Sequence, residues 1–354
     1  MNQNERLLDA SIGHAVDIQT YGTTLVRRVI ALLNRVDPDL VAQVVRARES
    51  LPEDSFTVQR LDALLASVRR LNNQSYQQAY GLVERELEEL ADLEVTWQTA
   101  QIAQAPGVAM AAVDSEQVAA AVLSRPFQGR LLREWMSGLE AEKAATIRDA
   151  IRIGYIEGQT TDQIVRRIRG TKSAGYADGL LEINRKNAQS IVLTAVNHTA
   201  NFAANAVYEA NADVVKAVKY SAVLDTRTTP VCRGRDGNLY PLGAKRPSLP
   251  AHIRCRSNYV PVLKSFREMG IDADDFTATQ RASMDGQVPG DLTYNDWLKR
   301  QSATRQDEVL GVTKAKLFRT GELTLDRFIA RDGAELTLAQ LRQKYPDVFK
   351  KADL

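Results

Sequence analysis

Residues 220–263 read YSAVLDTRTTPVCRGRDGNLYPLGAKRPSLPAHIRCRSNYVPVL, and the organisation of the whole chain turns on them. Val218, Tyr220, Ala222 and Leu224 alternate as a half-buried strand does. Asp236-Gly237 is a tight-turn signal leading into Leu239 and Tyr240. Asn258, Tyr259, Val260 and Val262 suit a returning strand. The expectation is a small sheet whose long loops bring Asp225, Cys232, His252 and Cys255 together.

Outward from this stretch the period changes. No glycine or proline occurs between Gly179 and Pro230, and Leu181, Ala188, Ile191, Val192, Ala195, Phe202 and Ala206 form one helical stripe. Before it, GYIEGQTTDQIVRRIRG (154–170) reads as the elbow of a helical pair. Gly158 ends one helix, and Thr160 with Gln163 forms a capping box for the next. Arg166, Arg167 and Arg169 invite a DNA-binding helix-turn-helix, but no side chains can be assigned to base edges, so a plain hairpin is preferred.

Residues 1–105 contain few helix breakers. Leu61, Leu64, Leu65, Val68 and Leu71 give one apolar stripe, and Val83, Leu87, Leu90 and Trp97 give the stripe of a second helix. That second helix carries Glu84, Glu86, Glu88, Glu89, Asp92 and Glu94, read as a solvated face. The expected fold is α+β: a mainly helical first two-thirds, a small loop-rich α+β module and a short helical tail. The divisions are 1–105 (helical), 106–130 (a connector marked by Pro106 and Pro126), 131–265 (helices plus sheet) and 266–354 (tail). In the tail, Thr293 with Asp296 opens a helix carrying Trp297 and Leu298, and Thr337 with Gln340 opens another. Asp285-Gly286 and Pro289-Gly290 read as links between short helices, which either wrap a neighbouring subunit or pack back on their own domain.

The 354 residues carry 46 Lys+Arg, 44 Asp+Glu and two cysteines, which excludes a global polycation and a disulfide scaffold. No apolar run reaches the roughly 18 residues of a membrane span. Charges at the start of the chain stand where a signal peptide has its apolar core, so a soluble protein made in a reducing cytoplasm is expected. Phosphate-loop, dinucleotide-fold, zincin and nucleophile-elbow signatures are all missing.

Three chemistries compete for Cys232, His252 and Cys255. A structural zinc site is one, with Asp225 or His198 as fourth ligand if the fold brings either near; three ligands plus water would make an open site. A deaminase-like zinc site is rejected, because His198-Thr199-Ala200 and His14-Ala15-Val16 lack the required glutamate. A Cys232–His252 nucleophile pair is the third, with Arg233 and Arg235 favouring the thiolate. The residue types favour a plainer reading over all of these, in which the side chains fasten loops. A disulfide is not expected in a reducing compartment, although later oxidation in an extracellular particle stays open. Asp225 and Arg227 are read as a turn cap and local ion pair.

The stretch is also basic. Lys219, Arg227, Arg233, Arg235, Lys245, Arg246, Arg254 and Arg256 face only Asp225 and Asp236, so the rest of the chain is net negative. Arg233, Arg235, Lys245, Arg246 and Arg254 are the candidate contacts for phosphate or an acidic partner. Tyr220, Tyr240 and Tyr259 show no base-stacking spacing, so sequence-specific DNA reading is not supported.

Taken together, Leu224-Asp225-x-Arg227-Thr228, Cys232, Asp236-Gly237, the proline-rich loop and Pro250-x-His252-x-x-Cys255-Arg256 resemble the F-like head morphogenesis (minor head) proteins of tailed bacteriophages, named after the F protein of phage Mu. The resemblance covers roughly residues 130–265 and continues weakly at 281–288 and at Tyr294, Trp297 and Leu298. Many members continue Cys-Arg-Cys where this chain has Cys255-Arg256-Ser257, which removes a thiolate and weakens the zinc reading. The resemblance implies a minor capsid protein made in the infected cell and carried in few copies inside the head near the portal. It implies the portal protein as partner, with the major capsid or scaffolding protein and non-specific packaged DNA as further contacts, and no membrane in the assembled head. Roles in genome packaging or ejection follow for some members. The alternative is a zinc- or cysteine-dependent hydrolase, a nuclease or peptidase of head maturation.

Overall fold

The computed structural model describes residues 3–49, 58–103, 110–265, 267–269, 280–330 and 332–354. It divides by contact into two units, one of Met1–Ile18, Leu93–Val118 and Ala200–Leu354, the other of Gln19–Asp92 and Ala119–Thr199. Seven helices come first: α1 (Gln3–Arg35), α2 (Asp37–Glu49), α3 (Val58–Ile102), α4 (Ser115–Leu123), α5 (Leu132–Ile156), α6 (Thr161–Arg169) and α7 (Leu180–Ala210). The α+β class and the helical first two-thirds are as expected. Among the described residues no helix is long and apolar enough to cross a membrane.

The two stripes expected as successive helices lie on one helix, the 45-residue α3. It contains no proline and one glycine, Gly81, and in the polar stretch between the stripes the Asn72 amide donates to the Glu140 carbonyl at 2.8 Å and Ser75 Oγ to the Asn72 carbonyl at 2.9 Å. The Leu61 side chain lies outside the described ones. The acidic face is exposed at Glu88, Glu89 and Asp92, but Glu94 turns inward. Its carboxylate lies 2.6 Å from His14 Nε2 and accepts from Gln98 at 2.7 Å, and the His14 ring stacks on Trp97. Of the expected connector, the part around Pro106 lies outside the described residues, and its later half contains α4.

In the second unit, α2, α3, α5, α6 and α7 share a core of Leu40, Val44, Leu65, Val68, Ile147, Ile151, Ile164, Ile168 and Leu181. The helical elbow forms as read. Thr160 caps α6 in a full capping box with Gln163, and Gly158 takes φ +66° after α5. Gly154 is required by proximity, since a Cβ there would sit 2.5 Å from Ile164 Cγ1. Arg167 pairs with Glu157 at 3.4 Å and Arg169 covers the Tyr176 ring, so these arginines serve the hairpin. Also in this unit, Lys143 is buried against Asp37, whose other oxygen holds Arg185 at 2.6 Å. Burial lowers the Lys143 pKa despite that carboxylate.

In the first unit, β1 (Val215–Ser221) lies between β2 (Leu239–Pro241) and β3 (Asn258–Leu263), antiparallel to both. The short helix α8 (Pro230–Arg235) fills the β1–β2 connection. Val218, Tyr220, Ala222 and Leu224 are all buried, so the alternation outlasts the strand itself. Along the end of α7 the buried positions are Ala203, Ala204, Val207 and Tyr208, with Phe202 and Ala206 half-exposed. The stripe drifts because 3.6-residue turns do not stay in register over a helix this long.

The tail packs back on its own unit. The segment expected as a link between helices is a hairpin of β4 (Gln280–Ser283) and β5 (Gly286–Pro289), with Asp285-Gly286 at its turn. Then come α9 (Tyr294–Lys299), α10 (Ala303–Leu310), α11 (Val312–Arg319), a 3-10 turn at Leu325–Phe328, α12 (Leu338–Lys344) and α13 (Pro346–Lys351). Thr293 caps α9, and Thr337 with Gln340 forms the expected box on α12. Trp297, Leu298, Leu317, Phe318, Phe328, Leu341 and Phe349 form a core that includes Leu224 from the end of the β1 run. Leu224→Ala should destabilise this unit by about 2–5 kcal/mol, whereas Thr160→Ala should cost the other unit about 1 kcal/mol. Urea denaturation of each variant against the parent measures both.

Candidate functional site

Two knots of side chains are built on the strand–loop–strand segment. The first is centred on Asp225, just beyond β1. Arg256 grips its carboxylate with both nitrogens, at 2.6 and 2.8 Å. The backbone amides of Arg227 and Thr228 donate to Oδ1 at 3.1 and 3.0 Å, a turn cap of the kind expected. Arg227 itself approaches at 3.5 Å but stays largely exposed, so the strong partner comes from 31 residues away and not from the local pair. The Asp225 carbonyl accepts the Tyr294 hydroxyl at 2.6 Å, tying in α9. Burial opposes ionisation here, but the Arg256 bonds and charge outweigh it and hold the carboxyl below its usual range. Asp236 makes a parallel link: its two oxygens accept from the amides of Ala222 at 2.7 Å and Tyr294 at 2.6 Å. Gly237 follows at φ +85°, the left-handed conformation this turn needs.

The second knot is the cysteine–histidine group. Cys232 comes from α8, and His252 and Cys255 come from the loop before β3. The Cys255 amide donates to the His252 carbonyl at 3.1 Å, closing a turn with Arg254 at φ +60°. Cys232 Sγ lies 3.3 Å from His252 Nε2 and 3.9 Å from Cys255 Sγ. The three ligand atoms lie within 4.8 Å of one another, so the three side chains could hold a metal ion. Both cysteines are buried free thiols, and His252 is half-exposed.

Hydrogen bonding from Cys255, aided by His252, outweighs burial and pulls the Cys232 thiol well below its usual pKa. The same sulfur raises the pKa values of His252 and Cys255. The arrangement therefore sets the more acidic Cys232 sulfur against the more basic His252 ring. Such a pair can bind a soft cation or serve as a nucleophile.

Neither proposed fourth ligand joins the group. Asp225 is taken up by Arg256, and His198 packs its ring against Phe127 at 5.5 Å in the other unit. Hydroxyls surround it instead: Tyr220 at 3.2 Å from Cys232 Sγ, Thr229 at 2.8 Å from His252 Nε2, and Ser257, hydrogen-bonded to Cys232. Tyr220 was read from the sequence as a strand residue and Ser257 only as the replacement of a thiolate, and Thr229 was not named. A usable signal existed for Ser257, since Cys255, Ser257 and Tyr259 are buried at strand period.

The candidate phosphate contacts separate in the structure. Arg233 is buried, donating to the carbonyls of Val309 at 2.7 Å and Thr226 at 3.1 Å, so little of it faces solvent. Arg246 lies over the Tyr259 ring and pairs with Glu209 at 3.0 Å. Tyr259 meets Tyr220 and Tyr240 edge-on and donates to the Pro247 carbonyl at 2.6 Å, so the tyrosines anchor the proline-rich loop, in which the Leu249–Pro250 peptide is cis. Lys245 and Arg254 are exposed, and Arg235 is half-buried.

Residues 145–260 match the family described as phage Mu protein F like protein, a family of phage head morphogenesis proteins. The match covers about a third of the chain, from within α5 to within β3, and includes every residue of both knots except Tyr294. The family resemblance read from the sequence is therefore shown for this segment, and the weaker likeness in the tail lies outside it. No curated protein and no solved structure matches the chain.

Because the folded Asp225 pKa is depressed, its stabilising contribution is complete above the ordinary carboxyl value of about 3.9 and is lost as pH falls from there through the folded value. Asp225→Asn should therefore cost about 1.5–3 kcal/mol at pH 7. The gap to the parent should narrow at acid pH, as denaturation series at both pH values would record.

Proposed function

We propose that the chain is a minor capsid protein of a tailed-phage head that joins the portal vertex during procapsid assembly and stays inside the head. The observation that carries this reading is the family match over residues 145–260, which takes in the whole motif from Asp225 to Arg256. The structure is compatible with a role in assembly. Long helices supply extended surfaces, and a small sheet module is fastened by buried polar contacts that leave its backbone little freedom. The portal protein is the proposed partner, with the major capsid or scaffolding protein as a further contact. Packaged DNA would meet the exposed cations Arg227, Lys245 and Arg254 without sequence preference, and effects on packaging or ejection would follow from that position.

One observation favours a hydrolase as second reading, the 3.3 Å approach of Cys232 Sγ to His252 Nε2. Against it, the sulfur is buried, and the other ring nitrogen faces the Ile253 carbonyl at 2.8 Å where a carboxylate would be the stronger orienting group.

Quantitative mass spectrometry of procapsids and mature virions, made with and without portal protein, decides between them. The assembly reading expects a few copies per particle and loss of the protein when portal is missing. Absence from every particle would sink it. A Cys232→Ala protein that enters particles normally but leaves a head protein uncleaved would carry the hydrolase.

A further inference from the structure

We infer that Cys232, His252 and Cys255 form a zinc site that fastens α8 to the loop entering β3. This goes beyond the head-assembly reading and does not depend on it. Four-coordinate zinc holds sulfur at about 2.3 Å and nitrogen at about 2.05 Å, so a tetrahedron has edges of about 3.8 Å between two sulfurs and about 3.6 Å between sulfur and nitrogen. The structure has 3.9 Å between Cys232 Sγ and Cys255 Sγ and 3.3 Å between Cys232 Sγ and His252 Nε2. Both lie within a few tenths of an ångström of those edges, and all three donor atoms fall inside one 4.8 Å group.

The orientation of the histidine is the second, independent observation. His252 Nδ1 lies 2.8 Å from the Ile253 carbonyl oxygen. A carbonyl can only accept, so Nδ1 carries the proton, and Nε2 is the nitrogen turned toward Cys232 Sγ at 3.3 Å, with the Thr229 hydroxyl beside it at 2.8 Å. Metal-bound histidines are characteristically fixed in this way, the remote N–H donating to a carbonyl or carboxylate while the other nitrogen ligates. Zinc binding releases protons as the ligands become thiolate, thiolate and neutral imidazole.

The loop is also shaped for the task. His252 and Cys255 stand three apart on a turn closed by the Cys255 amide and the His252 carbonyl, with Arg254 at φ +60°. Beyond it, Asn201 of α7 receives the Tyr259 amide at 3.1 Å and donates to the Ser257 carbonyl at 3.3 Å, so the strand side of the site is held in place. Among the described residues the group contains no fourth histidine, cysteine or carboxylate. A hydroxyl or water completes the shell, and half-exposed His252 gives the ion a way in. Asp225 is held by Arg256 and, among the described residues, no other carboxylate joins the group to activate such a water, so the ion acts as a fastener.

The test is metal analysis of the full-length protein, purified with a reductant and without chelators. About one zinc per chain is expected. Cobalt(II) chloride added to the chelator-stripped protein should give the sulfur-to-cobalt charge-transfer band and the visible absorption of a tetrahedral thiolate site, and zinc chloride should abolish both. The Cys232→Ser/Cys255→Ser double variant should fall below about a tenth of an equivalent. Should that variant fail to fold by circular dichroism, the cobalt titration of the parent still decides. Metal at background in the parent with no cobalt spectrum overturns the site. So does zinc content unchanged in a folded double variant, which would mark the ion as adventitious, and so does a parent whose two thiols are found joined as a disulfide.

Discussion

Asp225 has left the sheet but not yet entered α8, and its carboxylate would be costly to bury alone. It is tolerated because Arg256 meets it with a two-pronged, charge-assisted contact and two backbone amides complete its shell. Much else follows from that pairing. Arg256 is the neighbour of Cys255, so holding the guanidinium fixes the loop that presents Cys255 and His252 to Cys232. The carbonyl of the same aspartate receives Tyr294, which brings α9 against the sheet module. Leu224, one residue earlier, then completes the core of the tail. A single ion pair thus organises the sulfur–imidazole group on one side and the tail on the other.

Asp236 repeats this logic at lower charge. Its oxygens join the amide of Ala222 to that of Tyr294, so two aspartates eleven residues apart both terminate on α9. Buried polar networks of this kind specify one arrangement because every alternative strands a donor or acceptor away from water. This explains why a loop-rich segment with a proline-rich stretch can hold defined side-chain positions without a large sheet. The tyrosine cluster adds apolar mass at the same place, Tyr259 touching Tyr220, Tyr240 and the Pro247 carbonyl.

The parts legible in the sequence are those governed by local rules. The capping boxes at Thr160 and Thr337, the turn at Asp236-Gly237 and the alternation from Val218 to Leu224 each depend on a few neighbouring residues, and each stands where it was read. The parts that were not legible depend on partners distant in sequence. Nothing near Asp225 announces Arg256, and nothing near Glu94 announces His14, which removes that carboxylate from an otherwise solvated face. The two stripes of α3 were read as successive helices because the polar run Asn72-Asn73-Gln74-Ser75 lies between them, although the helix continues through it. For the cysteine–histidine group, the sequence supplied the three residue types but not the hydroxyls of Thr229 and Ser257, because neither residue type suggests ligand chemistry on its own.

The basic character of the segment shows how little a sum of charges says about a surface. Arg256 is neutralised by Asp225, Arg246 is turned onto Tyr259 and Glu209, and Arg233 is buried against two carbonyls. What faces solvent is chiefly Arg227, Lys245 and Arg254. Electrostatic affinity for nucleic acid grows with the number of phosphates neutralised, so about three cations amount to a weak, salt-sensitive contact. The buried arginines are better understood as framework: each guanidinium donates to groups that would otherwise be unpaired, and the positive charge so conspicuous in the sequence is largely spent inside the fold.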